Sequence, residues 1–314
     1  MMSELTSIEI LPNEILISIL TTFRTIDLLP ITLTSQRIHA LIIRILHHRL
    51  LETAKLQDHK LILECFHPAT KLSTPYLFCS YIDTHALNPP TLNPNPFEND
   101  SPVGKLAQLN SLYSHFLPLK PSSDRTRVRS HPAGGLFSIP NGLVDDHEKF
   151  VCQNIHLDSL ELFSQLQTIT SLVKVGPKRG LFLSSVNIGD SVLRIWREWL
   201  GVRAKVEKGL ELGDEGESGA GAKSSGERLL WADNHKVVGL KLRVIEREED
   251  APVLVRKDED PPVSYTLQYE ELVIKTSQLL LLVEESIDQE VNHSGQYCGL
   301  DGIYGLNPTN WYWR

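Results

Sequence analysis

The sequence predicts an α+β protein, in which an N-terminal three-helix module precedes a mostly antiparallel, sandwich-like β domain. Two observations predict this class. Apolar residues recur every three or four positions over the first fifty residues, as on one face of a helix. After residue 237, apolar and polar residues alternate, as in a half-buried strand. The predicted segments are a module at 8–50, a helical and loop-rich connector at 51–148, a β-rich domain at 149–290 with a flexible insertion at 201–228, and a tail at 291–314.

The module is predicted to contain three short helices. Pro12 suits the first turn of a helix because its ring presets φ, and Glu14 places a carboxylate near the positive end of the helix dipole. Asp27 is a good N-cap for a second helix with Pro30 in its first turn, and a third helix is predicted to begin near Ser35. The apolar positions of these helices are Ile15, Leu16, Ile19, Leu20 and Phe23, then Leu28, Leu29, Ile31 and Leu33, then Ile38, Leu41, Ile42, Ile45 and Leu46.

The size of the module raises a question about its apolar surface. A unit of about 40 residues buries too little surface to be stable alone. Its remaining apolar face must pack against the rest of the chain or bind a partner. The spacing of the apolar residues leaves both alternatives open.

The module resembles an F-box in three runs, which are Leu11-Pro12-x-Glu14-Ile15-Leu16-x-x-Ile19-Leu20, Asp27-Leu28-Leu29 and Leu33-Thr34-Ser35-Gln36-Arg37. Ile38 stands where many members of that family have tryptophan. The resemblance implies that the module binds a Skp-type adaptor and, through it, the cullin of an SCF-type ubiquitin ligase, while the C-terminal domain binds a target protein. It assigns adaptor contacts to Leu11, Pro12, Glu14, Ile15, Leu16, Ile19, Leu20, Leu28, Leu29, Leu33 and Arg37. The whole chain is similar in layout to F-box proteins of filamentous fungi.

A second resemblance concerns residues 181–275, whose order of motifs is similar to that of plant phloem-lectin-like domains. It is carried by Leu181-Phe182-Leu183, Gly189-Asp190, Trp196, Trp199 and Val238-Gly239-Leu240. This resemblance implies a β-sandwich whose loops bind sugar. The alternative function is therefore a carbohydrate- or small-ligand-binding module without a ligase role.

Composition limits the classes of partner. A formal net charge of −8 argues against binding nucleic acid through its phosphates. The four cysteines form no CxxC pair, which favours a reducing compartment and argues against a zinc module. No apolar run approaches the length of a membrane span, so we expect a cytoplasmic or nuclear protein.

Several further elements are predicted between the module and the alternating strands. Helical character is predicted to continue over 50–66, and helical spacing recurs from Leu160 to Val173. Val192 to Leu200 is predicted to be a helix that presents Trp196 and Trp199 on one face. These rings either anchor that helix on the sheet or form, with Arg194 and Arg197, a recognition surface.

Residues suited to catalysis are sparse, and no catalytic residue, metal site or cofactor is predicted. The adjacent His47 and His48 point in different directions on a helix, whereas a chelating pair needs a spacing of three or four. Trp231, Asp233 and His235 either line a polar pocket or form an ordinary turn before a strand. The candidate target-binding residues are Arg194, Trp196, Arg197, Trp199, Trp231, Asp233 and His235.

Overall fold

The computed structural model describes residues 11–68, 74–87, 102–120, 150–176, 181–211, 228–247, 261–292 and 298–299. In these ranges the helices are α1 (Asn13–Leu20), α2 (Thr25–Ile31), α3 (Gln36–Ala54), α4 (Pro102–Asn110), α5 (Arg197–Glu211) and α6 (Thr276–Asn292). The strands are β1 (Lys60–Phe66), β2 (Leu77–Ala86), β3 (Leu112–Pro118), β4 (Val151–Leu157), β5 (Phe163–Val175), β6 (Leu181–Trp196), β7 (Leu229–Trp231), β8 (Val238–Arg247), β9 (Val263–Lys275) and β10 (Cys298–Gly299). The predicted α+β class is confirmed.

All strands belong to one antiparallel sheet in the order β10-β6-β5-β1-β2-β3-β9-β8-β7. β4 lies outside this order and also pairs with β9. β8 pairs along one edge of β9. On the other edge, β4 pairs with the first half of β9 and β3 pairs with its end. The alternation that predicted strands at β8 and β9 is confirmed.

The sheet curls around one core instead of dividing into two layers. Gly189 in β6 lies opposite Val238 in β8, and a Cβ atom at Gly189 would be 3.4 Å from a methyl group of Val238. Five strands separate β6 from β8 in the sheet order, so this approach closes the curved sheet upon itself. The core also includes Leu200 and Ala204 of α5 and Leu279 of α6. The sandwich-like expectation is corrected to a single, strongly curved sheet.

Three helical predictions outside the module are wrong over much of their length. Residues 60–66 and 163–173 form the interior strands β1 and β5, although α3 continues as a helix through residues 50–54. β1 is buried on both faces, and its apolar residues form a nearly continuous run. The apolar residues of β5 instead recur at every third position, with buried serine and threonine residues between them, so neither strand shows a period of two in its apolar residues. β6 continues to Trp196, and helix α5 begins only at Arg197.

Two of the predicted segments also differ in secondary structure from what the sequence predicts. The connector supplies β1, β2 and β3, which lie in the middle of the sheet order, although it was expected to be helical and loop-rich. Helix α5 occupies the first part of the predicted flexible insertion, and residues 212–227 of that insertion lie outside the described residues. Within the predicted tail, residues 291–292 form the end of α6, and Cys298–Gly299 form β10, which pairs with the start of β6.

The N-terminus contains three helices, as the periodicity predicted. Ser35 caps α3 by accepting a hydrogen bond from the Ile38 amide at 3.2 Å, which confirms the predicted start of that helix. α2 begins at Thr25, so Asp27 lies in its first turn and is not its N-cap. Pro30 is the sixth residue of α2 and not part of its first turn, so it cannot donate the backbone hydrogen bond to the Ile26 carbonyl that another residue at this position could make. Among the described residues, no helix is both long and apolar enough to cross a bilayer.

Candidate protein-binding surfaces

Helices α1 and α2 present a row of exposed apolar side chains. Ile15 and Ile19 lie one turn apart on α1, and each exposes more than two fifths of its surface. On α2 the exposed side chains recur every three or four residues and continue past the end of the helix. The N-terminal apolar surface, as we define it, consists of Ile15, Ile19, Phe23, Ile26, Leu29 and Leu33.

Three predicted adaptor-contact residues lie underneath this surface. Leu16, Leu20 and Leu28 are buried in a cluster with residues of α3, such as Ile42. They can therefore support the exposed surface, but in this conformation they cannot touch a partner. The spacing of the apolar residues did not distinguish the two groups, and the exposed Phe23 and Ile26 were not among the predicted adaptor contacts.

The remaining predicted adaptor residues lie where the chain enters α1. Pro12 occupies the N-cap position of α1, and Glu14 is exposed in its first turn. Arg37 donates hydrogen bonds to Asn13 Oδ1 at 2.9 Å and to the Leu11 carbonyl at 2.7 Å. Arg37 thus fixes the start of α1 against the start of α3.

A polar cluster fastens the N-terminal helices to α6. Arg49 donates to the carbonyl groups of Thr21 and Phe23 and lies 3.4 Å from Glu284 of α6. The same carboxylate accepts hydrogen bonds from the backbone and hydroxyl groups of Thr25, at 3.0 and 2.6 Å. Because one carboxylate binds both α2 and α3, the orientation of the N-terminal apolar surface is set by α6.

Helix α6 is in turn fastened to the sheet. The hydroxyl group of Ser286 lies 3.0 Å from Nε2 of His59 and 2.5 Å from Oγ of Ser184. Burial lowers the pKa of His59. Lys174 of β5 pairs with Glu290 on the last turns of α6 at 2.6 Å. The N-terminal helices, α6 and the sheet are therefore linked by consecutive polar contacts.

The candidate target-binding residues divide between the two ends of β9. Arg197 lies at the start of β9, where it donates to the carbonyl of Pro261. Trp231, Asp233 and His235 lie beside the end of β9, because Val237 accepts a hydrogen bond from the Lys275 amide. The length of β9 puts these two groups on the order of 40 Å apart. They cannot form one recognition surface.

The group at the start of β9 includes an exposed apolar patch. Trp196 is half exposed, and its ring packs on Phe163, with the ring centroids 5.1 Å apart. Arg194 lies over the same Phe163 ring at 5.6 Å. The distal patch, as we define it, consists of Leu160, Leu162, Phe163, Val192, Arg194 and Trp196.

The other two candidates in this group have structural contacts. Arg197 donates to the carbonyl groups of Asp158 and Glu161, so it holds the 158–162 loop against α5. Trp199 is partly buried against the main core, whereas Trp196 faces outward. The expectation that both tryptophans share one helical face is wrong, because β6 ends and α5 begins between them.

The group at the end of β9 contains the predicted turn. Asp233 accepts hydrogen bonds from the amides of His235, Val237 and Val238, at 2.9 to 3.1 Å. This arrangement confirms the turn that precedes β8. The ring of Trp231 lies 5.5 Å from that of Tyr113 on β3.

A histidine–carboxylate cluster on β2, β3, β8 and β9 was not predicted. His115 Nδ1 lies 2.9 Å from one oxygen of Glu271, Lys241 lies 2.9 Å from the other, and the His85 ring stacks on that of His115. The hydrogen bond with His115, together with Lys241, lowers the pKa of Glu271 from 4.5 to about 2. Within the part of the chain that the structure describes, no group of three or more His, Cys, Asp or Glu side chains could hold a metal ion. We interpret the cluster as a structural ion network.

This network makes a specific prediction about acid stability. Glu271 has a depressed folded-state pKa, so its contribution is complete above its unfolded pKa of 4.5 and disappears as the pH falls towards about 2. We expect Glu271→Gln to lower the free energy of unfolding by about 2 kcal/mol near pH 7, less than the full pKa shift implies because solvent reaches part of the side chain. This difference should shrink steadily below pH ~4.5. Urea unfolding at pH 7, 4 and 3 measures it. Glu246→Gln, which removes an exposed partner of Lys208, is the control, and equal effects of the two variants would contradict the prediction.

Comparisons with protein-family models, with curated proteins and with solved structures found no match to this chain.

Proposed function

We propose that this protein is the substrate-receptor subunit of an SCF-type cullin–RING ubiquitin ligase. Its N-terminal apolar surface would bind a Skp-type adaptor, which connects it to the cullin, and its C-terminal domain would bind the target protein. The observation that supports this proposal is the exposure of Ile15, Ile19 and Leu33 within a run that resembles an F-box. An apolar row exposed beside a well-packed cluster is typical of a protein-binding site.

The physical mechanism is bridging, and no bond is made or broken by this chain. A receptor that holds a target beside the ligase raises the effective concentration of target lysines there. The contacts that run from Arg49 through Glu284 to α6, and from Ser286 to the sheet, favour a fixed geometry between the two binding ends. A fixed geometry keeps the target within reach of the ligase.

The distal patch is the part of the C-terminal domain best suited to contact a target. It combines an exposed tryptophan, a second aromatic ring and an arginine, which are residue types that dominate binding hot spots. It lies at the start of β9, whereas the N-terminal helices pack near the end of β9. A target bound there would not compete with the adaptor for the same surface.

The decisive experiment measures adaptor binding by the full-length chain. We expect the wild-type protein to co-purify with a Skp-type adaptor, and the double variant Ile15→Ala, Ile19→Ala to bind it at least ~30-fold more weakly, because two apolar anchors are truncated. Isothermal titration calorimetry provides the affinities.

The matched control is the double variant Leu160→Ala, Leu162→Ala, which removes two apolar groups that are even more exposed from the distal patch. It should bind the adaptor like the wild type. Absence of adaptor binding by the wild-type chain would refute the proposal. An equal loss in both double variants would show that the surface named here is not the one that binds.

A further inference from the structure

Two adjoining cavities lie where the N-terminal helices meet the end of the sheet. Their volumes are about 900 and 510 Å³, and they share Ala107, Asn110 and Lys275 as lining residues. The larger cavity lies among α2, α3, α4 and α6, and the smaller one lies over β3 and β7. The larger volume is within the range of sites that hold small molecules.

The larger cavity is mainly apolar. Its walls come from helices that are distant in the sequence, so it exists only in the assembled protein. The apolar side chains that line it include Leu29, Leu46, Leu50, Leu106, Leu109 and Leu280. Such a surface suits a hydrocarbon chain or another apolar body.

The charged side chains among the described residues that line the two cavities are lysines. Lys275 lines both cavities and Lys236 lines the smaller one, His235 lines the larger one, and none of the described lining residues is an aspartate or glutamate. Across the described ranges, neither Lys275 nor Lys236 has an ion pair. The nearby carboxylate of Asp233 already accepts three backbone hydrogen bonds.

Neutral donors accompany these cations. Burial, together with the charge of Asp233, raises the pKa of Tyr113, so its hydroxyl group keeps its proton. Asn110 uses its carbonyl oxygen to accept a hydrogen bond from Ser277 at 2.9 Å, and its amide NH₂ group can donate. Ammonium, hydroxyl and amide donors are the groups that bind a carboxylate.

The backbone at Lys236 adds an independent observation. Lys236 has a φ of 55°, in the left-handed region that glycine and asparagine adopt more easily. The turn therefore places a lysine at the smaller cavity in a conformation that disfavours lysine. Strained positions of this kind often occur at binding sites.

We propose that the joined cavities bind a small amphiphilic anion, namely an aliphatic monocarboxylate. Its carboxylate would lie against Lys275 and Lys236, and its hydrocarbon chain would lie among the leucines of α3, α4 and α6. The ligand would touch both the N-terminal helices and the sheet, and it would stabilise the folded chain by mass action.

Isothermal titration calorimetry measures the binding of decanoate to the full-length chain. Decan-1-ol and decylammonium are the neutral and cationic comparison probes, with the same chain length. We expect decanoate to bind saturably to one site, and the neutral and cationic probes to bind at least ~10-fold more weakly because they lack the carboxylate. Lys275→Met should weaken decanoate binding by ~10-fold or more and leave decan-1-ol binding unchanged. Lys208→Met, which removes an exposed lysine outside the cavities, is the control.

Lys236→Asn separates binding from folding. Asparagine adopts a left-handed φ more easily than lysine does, so the variant should unfold at the same temperature or higher while binding decanoate more weakly. Saturable decanoate binding that survives Lys275→Met, equal binding of all three probes, or absence of decanoate binding would each overturn the proposal. The Ile15→Ala, Ile19→Ala variant should bind decanoate normally, so failure of the adaptor proposal and failure of this one are distinguishable.

Discussion

Replacing Glu207 with alanine is expected to lower the free energy of unfolding by about 3 kcal/mol, because it removes a carboxylate that pairs with two arginines in a largely buried site. Arg228 keeps its second carboxylate partner, Glu270, at 3.4 Å. Glu207 is only 5% exposed. Its carboxylate lies 2.7 Å from Arg228 and 3.1 Å from Arg243, and so joins α5 to β8 and to the residue before β7. Loss of this contact should detach α5 from the core that Leu200 and Ala204 help to form.

The neighbouring residue provides the control for this prediction. Lys208 pairs with Glu246 at 3.1 Å, but both side chains are substantially exposed. Lys208→Ala should therefore change the free energy of unfolding by about 1 kcal/mol or less. Urea unfolding of the two variants measures both values, and a Glu207→Ala effect no larger than that of Lys208→Ala would contradict the structure around α5.

Leu16→Ala and Ile15→Ala are expected to differ strongly in their effect on the free energy of unfolding. Leu16 is buried against α3, so its truncation should lower the free energy of unfolding by about 2–5 kcal/mol. Ile15 is 49% exposed on the same helix. Its truncation should change stability by no more than about 0.5 kcal/mol, because alanine favours a helix and little packing is lost.

The same pair separates stability from adaptor binding. Ile15→Ala should weaken adaptor binding in a protein of wild-type stability. Chemical denaturation and calorimetry on the same preparations supply both quantities. Similar destabilisation by the two variants would show that Ile15 is enclosed in solution, which would remove the surface on which the proposed function depends.

The features that were predictable from the sequence depend on residues close together in the chain. Ser35 caps α3 and Asp233 closes the turn before β8 through hydrogen bonds to amides within five residues. β8 and β9 show the alternation of strands in which one face is more exposed than the other. In each case, local chemistry alone favours the observed conformation.

The interior strands could not be recognised in this way. In β1 every residue after Lys60 is buried, and β5 is buried on both faces over much of its length. Such strands lose the alternation that identifies a strand, and their apolar residues then fall at helical spacings by chance. For this reason the sequence predicts fewer strands than the sheet contains.

The polar contacts that hold the molecule together were also beyond sequence analysis. Glu284 meets Arg49 from 235 residues away, and Glu271 meets His115 from 156 residues away. No short pattern marks either carboxylate, because the partner is supplied only when distant elements pack. The cavities lined by Lys275 arise in the same manner, from helices that the sequence places far apart.

The amino-acid sequence therefore specifies the class of the fold, the three N-terminal helices, the cap of α3 and the alternating strands, since those depend on periodicity and nearby hydrogen bonds. Which apolar side chains are exposed depends on packing between elements. Ile15 and Leu16 are adjacent and nearly identical in chemistry, yet α3 covers only one of them. A helix has a covered and an uncovered side only after its neighbours are in place, so this distinction belongs to the assembled protein.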